Sequence, residues 1–175
     1  MITINNLSFN KNKTPLLNNI TFTLHNGEIL GITGPSGCGK SLLLKIISGK
    51  ISIADKMISL NGKNFSEFSR KELCEQISSL LSPYQYNPEA TIFEETIKGR
   101  IHLKKFLNPY SEFDRNTTHS ILDETELSDK STSRLKNCPD SIIRLTLIAR
   151  TVNSESESII IDSPEQGLDP LQKLK

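Results

Sequence analysis

Apolar and polar residues alternate through Ile20-Thr21-Phe22-Thr23-Leu24 and run into His25-Asn26-Gly27. That is the pattern of a half-buried strand entering a tight turn, and a hairpin is the simplest continuation. Leu7 and Phe9 stand at the same two-residue spacing, which places Phe9 in a core. The next run, Glu28-Ile29-Leu30-Gly31-Ile32-Thr33, is mostly apolar without alternation and predicts a short strand buried on both faces. After a glycine-rich loop, Leu42-Leu43-Leu44-Lys45-Ile46-Ile47-Ser48-Gly49 predicts a helix stopped by glycine.

Met57-Ile58-Ser59-Leu60 followed by Asn61-Gly62 predicts another strand and tight turn, and residues 69–76 a short helix leading to a strand over 77–81. From Pro83 to about Asp140 the chain becomes polar and charge-rich. The apolar residues there, Ile92-Phe93-Ile97-Ile101 and Ile121-Leu122-Leu127, keep helical spacing, which predicts a helical insertion without strands. A helix over 141–151 then leads, across Asn153-Ser154-Glu155-Ser156-Glu157, to Ser158-Ile159-Ile160-Ile161-Asp162, an apolar strand ending in a carboxylate. The order of elements predicts an α/β fold with a helical lobe set into it. No internal repeat is visible.

Composition changes this picture little. A length of 175 residues suits one ordinary domain, and 35% apolar with 23% charged residues is polar but far from a disordered composition. The 21 basic and 20 acidic residues are interspersed, for a net charge of +1, so no electrostatic footprint for nucleic acid or an anionic membrane is present. Cys38, Cys74 and Cys138 are odd in number and far apart; they form neither a disulfide framework nor a metal-ligand pattern and fit a reducing cytoplasm. The start, Met1-Ile2-Thr3-Ile4-Asn5, is not a basic segment followed by an apolar run, and no stretch reaches the length of a membrane span, so direct membrane insertion is not expected.

The chemistry sits first in Gly34-Pro35-Ser36-Gly37-Cys38-Gly39-Lys40-Ser41, which fits G-x-x-x-x-G-K-[ST] between an expected strand and an expected helix. Glycines let backbone N–H groups curl around phosphate oxygens, and the helix beginning near Lys40 points its positive end at them. Lys40 is expected to neutralise the β- and γ-phosphates of ATP, and the Ser41 hydroxyl to ligate Mg2+. Cys38 contributes its backbone rather than its thiol. Asp162 at the end of its strand has the form of the second half of such a site, holding Mg2+ through a water. Taken without the loop, an aspartate there is as readily a turn former.

With these residues in view, the sequence resembles the ATP-binding subunit or domain of ABC transporters over nearly its whole length. Leu17 to Leu24 with Asn26-Gly27-Glu28 is similar to the family's lead-in to its P-loop, and residues 34–41 are a common form of that loop. Ile58-Ser59-Leu60-Asn61-Gly62-Lys63 is similar to its strand-turn after the first helix, and Thr91-Ile92-Phe93-Glu94-Glu95 to its entry into the helical subdomain. Asp162-Ser163-Pro164-Glu165-Gln166-Gly167-Leu168-Asp169-Pro170 is similar to its Walker-B and D-loop segment. The resemblance implies a P-loop NTPase fold: a RecA-like core with an antiparallel β part, here 1–82 with 150–175, and a helical subdomain, here 83–149. It also implies a homo- or hetero-dimer of ATP-binding subunits that sandwiches ATP and drives membrane-spanning transporter subunits from the cytoplasmic, inner face of a membrane.

Several family positions are filled differently. The glutamate expected directly after the Walker-B aspartate is Ser163, no base at neutral pH, and Glu165 is offset from that place. Where Leu-Ser-Gly-Gly-Gln is expected stand Cys138-Pro139-Asp140-Ser141-Ile142, in which Asp140 would repel phosphate while Asp140 or Ser141 could cap the helix. Spacing puts Ser82 or Pro83 at the glutamine of the Q-loop, with Gln85 a few residues late, either serving or merely solvated. Lys11 stands where an aromatic residue would stack on adenine. His25, His102 and His119 all lie upstream of the switch-histidine region, and the sheet is expected to be incomplete at the C-terminus for want of the strand after Walker B, leaving backbone groups unpaired between 29–33 and 158–162. The expectations are therefore Mg-ATP binding with impaired or absent hydrolysis and no assignable catalytic residue. The alternatives are a non-catalytic partner or regulatory module, or a truncated remnant.

Overall fold

The strand expected at residues 20–24 forms, but its partner lies upstream. In the computed structural model, which describes residues 1–12, 14–53, 56–103 and 110–168, β1 (Ile2–Lys11) and β2 (Thr14–Leu24) pair antiparallel from Ile2 opposite Leu24 to Lys11 opposite Thr14. Ile2, Ile4, Leu7 and Leu17 are buried. The ladder slips between Ile4 and Leu7 and again between Leu7 and Phe9. Asn6 and Asn19 take left-handed backbone at these irregularities, each with φ 50, a conformation asparagine tolerates. Their N–H groups are caught by hydroxyls across the pair, Asn6 donating to Thr21 Oγ1 and Asn19 to Ser8 Oγ, both at 2.9 Å.

β3 (Ile58–Leu60) pairs antiparallel with the other edge of β1 and returns through Asn61-Gly62, with φ 50 and 81, into β4 (Lys63–Asn64), so the sheet order is β2-β1-β3-β4. Two successive positive φ values are what a type I′ turn requires, so Asn-Gly made this hairpin readable in advance. α1 (Lys40–Ile47) buries Leu43, Ile46 and Ile47 and ends as expected at Gly49, φ 71, whose N–H donates to Ile46 O at 3.0 Å. These elements belong to the first of two compact units, Met1–Leu73.

One expectation fails here. Residues 28–33 form no strand, and Ile29 is 99% exposed. A strand buried on both faces exists only when neighbours take up its N–H and C=O groups, and among the described residues no strand pairs with this run. The turn before it does form: His25 N–H donates to Glu28 Oε2 at 2.7 Å and Gly27 has φ 81.

The second unit, Cys74–Lys175, begins within α2 (Arg70–Gln76). β5 (Ile77–Leu80) and β6 (Ser158–Ile161) pair in parallel, Ile77 opposite Ser158 and Leu80 opposite Ile161. Between them lie α3 (Ile92–Ile97), α4 (Glu112–Glu124) and α5 (Asp140–Val152), the helices predicted for the insertion. Their shared core is Ile92, Leu122, Leu127, Leu135, Ile142 and Ala149. Thr91 with Glu94 and Ser111 with Asp114 form reciprocal caps at the starts of α3 and α4, satisfying N–H groups that a helix leaves unpaired. α5 differs from expectation. Its N-cap is Pro139 with no side-chain cap, so Asp140 and Ser141 stand inside the first turn and neither caps. Proline suits the place because the helix start asks nothing of its missing N–H.

Candidate functional site

The glycine-rich loop is a local structure of the first unit. Gly34, Gly37 and Gly39 all have positive φ, at 156, 80 and 99. Gly39 is constrained twice over: its φ disfavours any side chain, and a Cβ there would lie 2.9 Å from Leu17 Cδ2 and 3.0 Å from Leu16 O. Gly39 is also the N-cap of α1 and brings no side chain to it, so the first N–H groups of the helix remain open to an anion. The Lys40 ammonium donates to Gly34 O at 2.6 Å and Pro35 O at 2.8 Å, and reaches Cys38 Sγ at 3.7 Å. The loop folds around the charge that phosphate oxygens would meet. Ser36 and Ser41 are exposed, Ser41 in the first turn of α1. These residues fit a nucleotide's phosphates.

Asp162 belongs to the second unit and is 6% exposed. Its N–H donates to Leu80 O at 2.9 Å, extending the ladder between β5 and β6 by one rung, and its Oδ1 accepts from Ser163 Oγ at 3.3 Å. The chain turns sharply next: Ser163 has φ 50, and Gln166 N–H donates back to Ser163 O at 3.0 Å. A carboxylate at the carboxyl end of a parallel strand, immediately before such a turn, is suitably placed to face a bound group. Asp169 and Pro170 of the same segment lie outside the described residues, as does the side chain of Lys11.

Sequence reasoning passed over two residues that grip Asp162. Arg144 of α5, 3% exposed, donates from Nη2 to Asp162 O at 2.9 Å and to Ser163 O at 2.8 Å. Tyr84 lies under its guanidinium at 4.2 Å, and its hydroxyl proton is shared between Asp162 O at 3.3 Å and Gln166 Oε1 at 3.1 Å. The available signal was an arginine in register with Leu147 and Thr151 on the buried stripe of α5, where a charge needs a reason.

A family model described as "ABC transporter" matches residues 17–166. The chain belongs to the ABC transporter family. ABC relatives include the phosphonates import ATP-binding protein PhnC 2 of Oceanobacillus iheyensis, 26% identical over 97% of this chain and 70% of its own length. A putative ABC transporter ATP-binding protein of Clostridium tetani is 31% identical over 88% of this chain but 34% of its own length. The zinc import ATP-binding protein ZnuC of Wigglesworthia glossinidia brevipalpis is 28% identical over 97% of this chain and 64% of its own length. The chain thus spans between a third and about seven tenths of these relatives. Among solved structures, a dimeric bacterial ABC transporter cassette superposes with a TM-score of 0.84 at 21% identity, over 99% of this chain and 78% of that one. A nucleotide-free ATP-binding cassette superposes with a TM-score of 0.83, over 98% and 72%. The fold is therefore the P-loop NTPase fold of ABC cassettes.

Within this ABC chain the divergent positions have plain local surroundings. Ser163 and Glu165 are exposed in the turn after β6. Gln85 is exposed, and its backbone carbonyl accepts from Arg150 Nη1 at 3.0 Å. Cys138 donates its thiol to Arg134 O at 3.4 Å ahead of α5. His25 and His119 are exposed, the latter with its ring 4.8 Å from that of Phe93. Among the described residues no helix is long and apolar enough to cross a membrane, and no group of His, Cys, Asp and Glu has the makings of a metal cluster.

Proposed function

We propose that this ABC transporter ATP-binding domain binds Mg-ATP through Gly34, Pro35, Ser36, Gly37, Cys38, Gly39, Lys40 and Ser41, with Ser41 and Asp162 as the residues that would hold Mg2+, and that it hydrolyses ATP poorly or not at all. The observation that carries this reading is the Lys40 ammonium drawn into the loop by the Gly34 and Pro35 carbonyls, beside a helix start with no side-chain cap. Ser41 and Asp162 would hold Mg2+, which would supply charge neutralisation for the phosphates. The residues that act are the loop N–H groups, which orient the phosphates, and Lys40, which offsets their charge. Ser163 supports poor turnover, since a serine hydroxyl cannot take a proton from water at neutral pH.

In this reading the chain pairs with another ATP-binding subunit, of its own or another kind, and docks on membrane-spanning transport subunits from the cytoplasm. Residues 1–82 with 150–175 act as the core lobe and 83–149 as the helical lobe. The names of its relatives mention phosphonates and zinc; no cargo is carried over from them.

Titrating the purified chain with ATP in the presence of Mg2+, alongside Lys40→Ala, tests the binding half. Removing a charge-assisted contact of about 1.5–3 kcal/mol should weaken binding roughly 10- to 100-fold. Equal affinities would remove the loop from the reading. Steady-state phosphate release tests the other half: wild type and Lys40→Ala are expected to coincide near background, and a wild-type rate well above the variant would show a working motor.

A further inference from the structure

Arg144 carries more than its packing asks of it. Its guanidinium is buried, yet Nε and Nη1 have no hydrogen-bond partner among the described residues. Burial holds its basicity below the ordinary arginine range, with Tyr84, Asp162 and Glu165 acting in the opposite sense. A buried charge with unmet donors is costly, and an apolar residue of similar volume would pack there at least as well. What the arginine supplies is a pair of short contacts from one nitrogen to two consecutive carbonyls, those of Asp162 and Ser163.

Those contacts complete the immobilisation of the Asp162 backbone. The peptide before its Cα is held by the N–H donated to Leu80 O. The peptide after it is held through its carbonyl by both Arg144 and Tyr84. With both flanking peptides fixed, φ and ψ of Asp162 are fixed, and so is the direction of its Cα–Cβ bond. The left-handed Ser163 that follows, uncommon for a residue with a side chain, has its carbonyl tied to the same guanidinium nitrogen.

We propose that Arg144, backed by the Tyr84 ring, is a positioning residue that sets the direction of the Asp162 carboxylate, a group that would hold Mg2+ in the functional reading. The assignment rests on the Mg-ATP reading above. Arg144 touches neither nucleotide nor metal in it; it acts through the backbone of the residue that does.

The experiment titrates Mg2+ into the full chain with ATP held constant, and separately measures ATP binding in EDTA, for wild type, Arg144→Lys, Tyr84→Phe and Asp162→Asn. Lysine keeps the charge but replaces the planar guanidinium that lies over the Tyr84 ring with a compact ammonium on a flexible stem, so the donor facing the two carbonyls is no longer held in place. Tyr84→Phe keeps the ring and removes only the hydroxyl, so it serves where the arginine variant folds poorly. Arg144→Lys should raise the Mg2+ concentration for half-maximal effect roughly tenfold, as loss of residues supporting a metal ligand usually does. Tyr84→Phe should move it in the same direction by less, and Asp162→Asn should move it the most, Ser41 remaining as the other residue that would hold the ion. Affinity for ATP in EDTA should be unchanged throughout. A purely structural role would lower thermal stability and leave the Mg2+ midpoint where it was, and that result overturns the proposal while leaving Mg-ATP binding intact. Wild-type protein whose ATP binding is insensitive to Lys40→Ala would instead fail the functional reading, and this assignment with it.

Discussion

Replacing Arg100 by alanine is expected to cost the second unit about 2–5 kcal/mol, the range for truncating a large, fully buried side chain. Arg100 is 1% exposed. Nε donates to Asp114 Oδ1 at 2.6 Å, and Nη1 meets Glu155 Oε2 at 3.0 Å and Asn153 O at 3.3 Å, so one guanidinium joins α4 to the chain leaving α5. The Phe113 ring lies 5.3 Å from its centre. Truncation leaves the Asp114 carboxylate without its main partner and opens a void, and both act in the same direction. Chemical denaturation should show the loss as a lower midpoint, and Arg100→Lys should recover only part of it because lysine cannot fork between Asp114 and Glu155. A change under about 1 kcal/mol would mean that the pairs are worth no more than surface ones.

The same cluster predicts an acid response. Hydrogen bonds from Arg100 and then Ser111 hold the Asp114 carboxyl down to about 2 from its ordinary 3.8. A carboxyl lowered in the folded state stabilises the fold above its unfolded pKa, and that contribution fades as pH falls from near 4 towards 2; for this shift it is on the order of 2 kcal/mol. Asp114→Asn should flatten stability across that window. Unchanged acid sensitivity in the variant would place the response elsewhere.

Gly99→Ala is the second large effect expected, about 3 kcal/mol, at the upper end of ordinary overpacking. A Cβ on Gly99 would fall on the carbonyl oxygen of Arg150, with Ser154 N 3.2 Å away. These are backbone atoms at the end of α5, so no side chain can swing aside and the chain segments must part. Asn153, at the same crossing, is fully buried and donates from Nδ2 to Thr96 O at 3.0 Å and Thr118 Oγ1 at 2.9 Å, so separation also strains that pair of bonds. Gly31→Ala is the matched control: a Cβ there has nothing within 4 Å, and its effect should stay within about 0.5 kcal/mol. Similar midpoints for the two variants would contradict the close crossing.

The shape of the glycine-rich loop was legible because its requirements are local. Three glycines with positive φ, a lysine that folds back on carbonyls five and six residues away, and a helix beginning at once all lie within eight consecutive residues. The Asn61-Gly62 hairpin was readable for the same reason. The run at 28–33 was misread because its apolarity says only that it prefers burial, while strand pairing depends on neighbours elsewhere in the chain. Neither Asp140 nor Ser141, either of which could have capped α5, does so: Pro139 takes the N-cap, and both polar residues stand inside the first turn.

By itself the sequence determined most of the helices and strands, the glycine-rich loop of 34–41 ahead of α1, and the carboxylate and serine at the end of β6, since each is written in adjacent residues. Only the tertiary structure decided that β2 pairs upstream with β1, that Gly99 must lack a side chain, and that Arg144 and Tyr84 grip Asp162 from 18 and 78 residues away. Contacts between distant residues follow from how elements pack, and no local pattern of polar and apolar positions encodes which side chain will find which carbonyl.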